Sequence, residues 1–315
     1  MADPANIERP PMVESIVKLS ILFYQVALAY IEAVLNLFKK ARRKDVRASN
    51  VLITGSGHGL GRELALGFAR LGANLILVDI NEAHNLKVRD EIIEKYPNLR
   101  VSAHSIDIRD ENKVALLAEE CKRKLGPKRC VDILVNNAGI VQCRPLFDLS
   151  PQLVERTFQV NCLAHIWMAK HFLPDMIEQK RGHIVAISSI AGLIGNKYLS
   201  DYCASKFAVV GFMEALECEL HDGDANPGIH LTTVCPSCMS TGMFKSFTSR
   251  FDWLLPVLKP EEVAASTIDA ILTNKTRVVV PPITLYFHRL SYIIPNKVRL
   301  LIQDYLDYGV KPHSD

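Results

Sequence analysis

From Asn50 onward the chain alternates short, β-branched apolar runs with longer stretches of helical periodicity. This alternation restricts the possible folds more than any other feature of the 315 residues. The runs Val51–Thr54, Leu75–Asp79, Val101–Ser105, Ile133–Val135, His183–Ser188, Ile229–Val234 and Val278–Val280 read as strands, with helical segments such as Leu60–Leu71 and Ser205–Leu220 between them. Parallel neighbours are reached only through a crossover of about a dozen residues or more, usually a helix. The pattern therefore specifies a parallel sheet with helices on both faces. Residues 48–281 are expected to form one α/β domain of this doubly wound kind. No internal repeat or low-complexity tract interrupts it.

The first strand runs straight into Thr54-Gly55-Ser56-Gly57-His58-Gly59-Leu60-Gly61, in which Gly55, Gly59 and Gly61 give a G-x-x-x-G-x-G spacing. Glycines here permit a tight turn and close approach of backbone to a pyrophosphate. The helix after them presents its N–H groups and positive dipole end to the phosphates. A place between strand and helix is the context a dinucleotide site requires, and it makes the expected architecture Rossmann-type. Asp79 closes the second strand 18 residues after Gly61. A carboxylate there accepts hydrogen bonds from a ribose 2′-OH and repels a 2′-phosphate, and Ile80 beside it offers no cation. NAD rather than NADP is the expected cofactor.

Tyr202 and Lys206 are four residues apart, one turn apart on the same face of a helix. A nearby ammonium stabilises a phenolate, so such a tyrosine can take a proton from an alcohol. The spacing alone is common on helix surfaces. Ser189 ends a strand 13 residues before Tyr202, where its hydroxyl can hold a substrate oxygen. Asn136-Asn137-Ala138-Gly139 follows the strand Ile133–Val135, and Asn161 lies in a helical stretch between these elements.

Together these ordered motifs resemble the short-chain dehydrogenase/reductase family over roughly residues 48–281. The resemblance implies that Ser189, Tyr202 and Lys206 are catalytic with Asn161 as the fourth member, Asn161 helping to place a water that links Lys206 to solvent. It implies Ser189 and Tyr202 as substrate contacts. The implied cofactor residues are Gly55, Ser56, His58, Gly59, Leu60, Gly61, Asp79, Ile80, Asp107, Ile108, Asn137, Ala138, Gly139, Tyr202, Lys206, Pro236 and Thr241. Lys206 would hold the nicotinamide ribose, Asp107 contact the adenine and Thr241 the carboxamide. Family members usually carry Pro-Gly after the sixth strand, where this chain has Pro236-Ser237. A homodimer is the assembly the family implies.

The N-terminal segment has a different character. Residues 1–12 are polar and carry Pro4, Pro10 and Pro11, and they read as a disordered lead-in. Val13–Phe38 is mostly apolar and is followed by Lys39, Lys40, Arg42, Arg43, Lys44 and Arg47, so residues 13–47 read as a membrane-anchor helix with a basic cluster. The basic residues come after the apolar run and no small-residue cleavage site is present, which argues against a cleaved signal peptide. Ile16–Phe38 would be about 34 Å long as a helix, enough to span a bilayer. Glu14, Lys18, Gln25, Glu32 and Asn36 fall on one stripe roughly 40° wide. That seam favours a helix lying in the interface over one that spans. A basic cluster after the apolar run keeps the α/β domain on the cytosolic side.

The N-terminal segment, the motif Asp201-Tyr202-Cys203-Ala204-Ser205-Lys206-Phe207, Thr241-Gly242-Met243-Phe244 and a Leu-Pro stretch at 255–260 recur together. Within the family they resemble the membrane-bound epidermal retinol dehydrogenases and the 17-beta-hydroxysteroid dehydrogenases of types 11 and 13. This resemblance implies a lipophilic alcohol as substrate, most directly all-trans-retinol, with a 17-beta-hydroxysteroid or another long-chain lipid alcohol as the alternative, and the endoplasmic reticulum membrane or a lipid droplet as location. Met239–Leu258, with Met243, Phe244, Phe247, Phe251, Trp253, Leu254 and Leu255, falls where a substrate lid would lie. Residues 282–315 form an apolar extension expected near the substrate entrance. A non-catalytic lipid-droplet scaffold is the reading from another class, and the intact Ser189, Tyr202, Lys206 and Asn161 argue against it. Lys+Arg (37) nearly balance Asp+Glu (34), so the +3 charge gives no field that argues for nucleic acid. Eight cysteines show neither disulfide spacing nor a paired zinc signature, which fits a reducing compartment. Cys235 and Cys238 read as two buried thiols.

Overall fold

The computed structural model describes residues 12–39, 41–127, 129–221, 228–244 and 247–312. The polar lead-in, apart from Met12, lies outside the described residues, as does Lys40. By internal contacts the chain divides into two units, 1–43 and 44–315.

The first unit is the helix α1 (Met12–Phe38). Its apolar side chains are exposed along its length, among them Ile16, Leu22, Phe23, Tyr30 and Leu35. Glu14–Leu35 is long and apolar enough to cross a membrane. Glu14 and Lys18 of the polar seam pair at 2.7 Å, so two charges of the stripe neutralise each other. The side chain of Asn36 lies outside the described set.

In the second unit seven parallel strands, β1 (Asn50–Thr54), β2 (Asn74–Asp79), β3 (Val101–Ser105), β4 (Ile133–Asn136), β5 (Gly182–Ile187), β6 (Ile229–Pro236) and β8 (Arg277–Val280), form one sheet. Its order is β3-β2-β1-β4-β5-β6-β8. Each expected strand is present within a residue or two of its ends. Because side chains alternate along a strand, Val51 and Ile53 of β1 face one way and Leu52 the other. On the first face they join Leu64 and Phe68 of α2 (Gly59–Arg70), Val88 and Ile92 of α3 (Glu82–Lys95), and Val263, Ile268 and Ile271 of α8 (Pro260–Leu272). On the second face Leu52 joins Val114 and Leu117 of α4 (Glu111–Leu125), Met168 and Phe172 of α6 (Ala164–Glu178), and Val209 and Met213 of α7 (Ser200–His221). The sheet is thus covered on both sides, the Rossmann-type arrangement read from the sequence. A short helix, α5 (Pro151–Phe158), passes into α6 through a π-helical turn, Gln159–Leu163.

Two additions lie beyond the sheet. A ribbon pairs β7 (Phe247–Thr248) antiparallel with β9 (Gly309–Val310). Between β8 and β9 run α9 (Ile283–Ile293) and α10 (Asn296–Leu306).

The second unit begins on a buried polar relay. Lys44 donates from its backbone N–H to Leu272 O at 2.8 Å, and its Nζ lies 2.6 Å from His183 Nδ1. His183 Nε2 lies 2.7 Å from Thr232 Oγ1, which donates to Lys275 O at 2.6 Å. With Lys44 donating, His183 carries its proton on Nε2 and donates onward, so every group has a partner. Burial holds His183 well below the usual histidine range and lowers Lys44 to about 8.

Candidate active site

The chain leaves β1 toward β2 and β3 and returns across the sheet to β4, so the carboxyl ends of β1 and β4 flank a crevice. A cavity of about 580 Å³ opens there. Gly55, His58, Gly59 and Leu60 line one end of it, with Asp79, Ile80, Asp107 and Ile108 nearby. Helix α2 starts at Gly59 with no side chain capping its first turn, which leaves backbone N–H groups for an anion. Asn137 and Ala138 donate their N–H groups to Thr54 Oγ1 at 3.0 and 3.1 Å, and Asn137 Nδ2 donates to Thr54 O at 2.9 Å. These bonds tie the ends of β1 and β4 together.

Two residues expected at the cofactor stand behind the cavity wall and do not line it. Ser56 is fully buried and donates to Asn85 Oδ1 at 2.7 Å. A Cβ on Gly61 would overlap the carbonyl oxygen of Gly55 and crowd Asn137 Nδ2. Both shape the turn: the first ties it to α3, and the second lets helix and loop meet without a side chain between them.

Asp79 Oδ2 accepts from Gly57 N at 2.9 Å and Oδ1 from Asn81 N at 2.8 Å. Each oxygen retains a lone pair, and the carboxylate faces the cavity. Asp107 accepts from Arg109, with Nη2 at 2.6 Å and Nε at 3.0 Å, and the guanidinium holds the Asp107 carboxyl below its usual range. Arg109 also lines the cavity, a neighbour the sequence reading missed because nothing in its spacing singles it out. The residues fit a dinucleotide: a glycine cradle that a Cβ would fill, an uncapped helix start, and a carboxylate facing the cavity at the end of β2.

At the other end lie Ser189, Tyr202, Lys206, Pro236 and Thr241. Tyr202 and Lys206 occupy successive turns of α7, and Lys206 Nζ sits 5.8 Å from the centroid of the Tyr202 ring. Ser189 Oγ donates to Pro236 O at 3.4 Å and accepts from Ala191 N at 3.1 Å. Burial pushes the Tyr202 phenol above its ordinary value, against the lowering effect of the nearby Ser189 hydroxyl. Lys206 Nζ donates to Ile187 O at 2.8 Å, and burial lowers its pKa to about 8. Asn161 comes from the π-helical turn and is wholly buried. Its amide donates to Ile140 O at 2.9 Å and to Ser205 Oγ at 3.1 Å, and its Oδ1 accepts from Ile140 N at 2.8 Å. A Cβ on Gly139 would lie 3.4 Å from Asn161 Oδ1 and 3.5 Å from Lys206 Nζ, so these groups flank one point. Asn161 itself stands just behind the wall.

The wall opposite Tyr202 is apolar. Met243, Phe244 and Phe247 from the expected lid line it, and Phe244 meets the Tyr202 ring edge-on at 5.9 Å. Trp253, from the same stretch, is exposed. Sequence reasoning missed Cys238, Tyr308, Gly309 and Val310, which also line the cavity. The last two are β9, a strand of two residues that is too short to show periodicity. Among the described residues no two cysteines form a disulfide, and burial raises Cys235 and Cys238 to about 11.

Comparison with known proteins gives the same picture. The family model described as short chain dehydrogenase matches residues 49–251. Epidermal retinol dehydrogenase 2 of Mus musculus is 43% identical over 293 residues, 93% of each chain. The 17-beta-hydroxysteroid dehydrogenase 13 of Homo sapiens is 36% identical over 289 residues, 91% of this chain and 93% of that one. Among solved structures, a short chain dehydrogenase/reductase from Burkholderia phymatum in complex with NAD superposes with a TM-score of 0.70 at 24% identity, over 86% of this chain and 99% of that chain. That likeness is one of fold. Sheet order, matched residues and full-length relatives converge: the chain belongs to the short chain dehydrogenase family and is a nicotinamide-dependent alcohol oxidoreductase.

Proposed function

We propose that this chain oxidises a lipophilic alcohol to the carbonyl compound with NAD, and that all-trans-retinol is its substrate. The observation that carries the reading is the placing of Ser189 and Tyr202 on one end of the cavity, with the Lys206 ammonium 5.8 Å from the Tyr202 ring and an apolar wall of Met243, Phe244 and Phe247 beside them. The bound nicotinamide would supply a hydride acceptor. Gly55, His58, Gly59 and Leu60 would hold the pyrophosphate, Asp79 the adenosine ribose, Asp107 and Ile108 the adenine side, and Lys206 and Thr241 the nicotinamide end. Ser189 holds the substrate oxygen and Tyr202 removes its proton. Lys206 favours the phenolate through its charge, against the burial that raises the phenol. Asn161, fixed to Ile140 and Ser205, keeps the Lys206 surroundings polar.

Asp79 supports NAD over NADP, since its carboxylate faces the position a 2′-phosphate would take. The retinol reading is supported by the mouse relative's name and the apolar wall, and the human relative's name supports a 17-beta-hydroxysteroid as the second reading. The apolar α1 and the basic residues after it support attachment to the endoplasmic reticulum or a lipid droplet with the second unit on the cytosolic side.

The test is turnover of all-trans-retinol and estradiol by the full-length protein in phospholipid vesicles, with NAD and with NADP. Retinal formation with NAD should dominate and fall about 10²- to 10⁴-fold in Tyr202→Phe. A higher kcat/KM on estradiol would replace retinol by the steroid. Unchanged activity in Tyr202→Phe would overturn the mechanism, whereas a lipid-droplet role insensitive to Tyr202→Phe would revive the scaffold reading.

A further inference from the structure

A second cavity of about 110 Å³ lies beside the first, under α9 and α10. Both helices lie beyond residue 251, where the family match ends. Phe287, Leu290, Ser291 and Ile294, from α9 and its C-cap, line it, as do Arg299, Ile302, Gln303 and Leu306 of α10. Each set has the spacing i, i+3, i+4, i+7, so each helix gives one face to the cavity. The polar groups among them are engaged with protein: Arg299 donates to Asn296 Oδ1 at 2.7 Å, and Gln303 Nε2 to Gly195 O at 3.2 Å. What remains facing the space is mostly hydrocarbon, with the Tyr308 hydroxyl, buried without a hydrogen-bond partner among the described residues, on the wall shared with the first cavity.

Two observations connect this space to the chemistry. Ile190, Asn196 and Tyr308 belong to the walls of both cavities, so the two spaces adjoin at these side chains. The helices are also tied to the loop beside Tyr202, through Lys197 to Asp304 at 2.7 Å and through Gln303 to Gly195. The outer sides of the same helices expose Tyr286, Tyr292, Ile293, Leu301 and Tyr305, interspersed with Arg289, Lys297 and Asp304. Such mixed outer sides suit contact with the interface of a hydrocarbon phase, from which an apolar pocket can be filled.

We propose that the α9–α10 cavity is a subsite for the distal hydrocarbon of the alcohol whose hydroxyl lies at Tyr202, so that chain length is read there. This rests on the lipophilic-alcohol reading above. An apolar cavity of about 150 Å³ stays dry and takes up benzene. At about 110 Å³ this one is smaller, a size for the few carbons of a branched chain end.

The test uses allylic isoprenoid alcohols that share one reacting head and differ in length, geraniol and the longer farnesol, on the full-length protein with NAD in vesicles. Leu290 is half-exposed at the rim and outside the catalytic machinery, so substitutions there spare the fold. Leu290→Trp should lower kcat/KM on farnesol about tenfold or more and leave geraniol within about twofold. Leu290→Ala should shift the preference further toward the longer alcohol. Equal losses on both alcohols in Leu290→Trp together with an unmoved preference in Leu290→Ala would overturn the subsite, as would no change in either variant. A parallel titration of farnesol into the NADH-loaded protein separates the two readings. If no alcohol turns over, the catalytic reading fails, and the subsite stands or falls on whether Leu290→Trp weakens farnesol binding.

Discussion

Lys206 is a cation held where water is excluded, and its cost to the fold can be measured. Its pKa is lowered to about 8 from the usual 10.5 by burial. A folded value below the unfolded one means that, between those pH values, the unfolded chain binds the proton that the folded chain has released. Stability contributed by this residue therefore rises with pH through that window, and at neutral pH the buried ammonium is a net cost. Lys206→Met should abolish turnover yet raise stability at pH 7 by about 1–3 kcal/mol, the gain shrinking as pH approaches 10.5. Calorimetric unfolding across pH 7–10.5 checks this. Asp79 yields a second prediction. Its carboxylate is fixed by Gly57 and Asn81, and Asp79→Ser removes the charge that would oppose a 2′-phosphate. The ratio of NADP to NAD affinity should rise about 10- to 100-fold, read by fluorescence titration of the reduced forms. An unchanged ratio would remove Asp79 from cofactor selection.

At the level of elements, what the sequence made legible was what repeats. Strands buried on both faces are continuous apolar runs, so β1, β2 and β4–β6 stand out. The glycine turn and the four-residue step from Tyr202 to Lys206 are local, and local spacing survives into the structure. The rest depends on contacts made at long range. The π-helical turn that carries Asn161 leaves no periodic mark, and the sequence reading placed that residue only in a helical stretch. The β7–β9 ribbon joins Phe247 to Val310 across more than sixty residues, with two residues per strand. Ser56 looked like a cofactor contact from its place in the motif, but its hydroxyl turns inward to Asn85. The ribbon supplies part of the apolar wall, and Val310 in it is buried. Val310→Asp should therefore raise KM for retinol about tenfold while NAD affinity stays within about twofold, by steady-state kinetics and titration. Equal loss of both would mean that the ribbon supports the whole crevice.

For the molecule as a whole, the division at residue 43 separates an exposed apolar helix from a folded catalytic unit. Removing residues 1–43 should release the protein from vesicles in a flotation assay and leave its thermal unfolding within about 2 °C. Retained flotation would transfer the attachment to the exposed apolar sides of α9 and α10. The cut belongs before Lys44, because that residue already belongs to the interior. Its amine reaches His183 on β5, and its amide reaches the end of α8. Tension arriving along the chain from residue 43 is therefore delivered to two separate parts of the fold before it reaches β1. The first strand is spared the pull, and peeling the catalytic unit from its N-terminus must begin by drawing the half-buried Lys44 amine away from His183. A protein tethered by one end to a moving surface gains mechanical endurance from such a fastening.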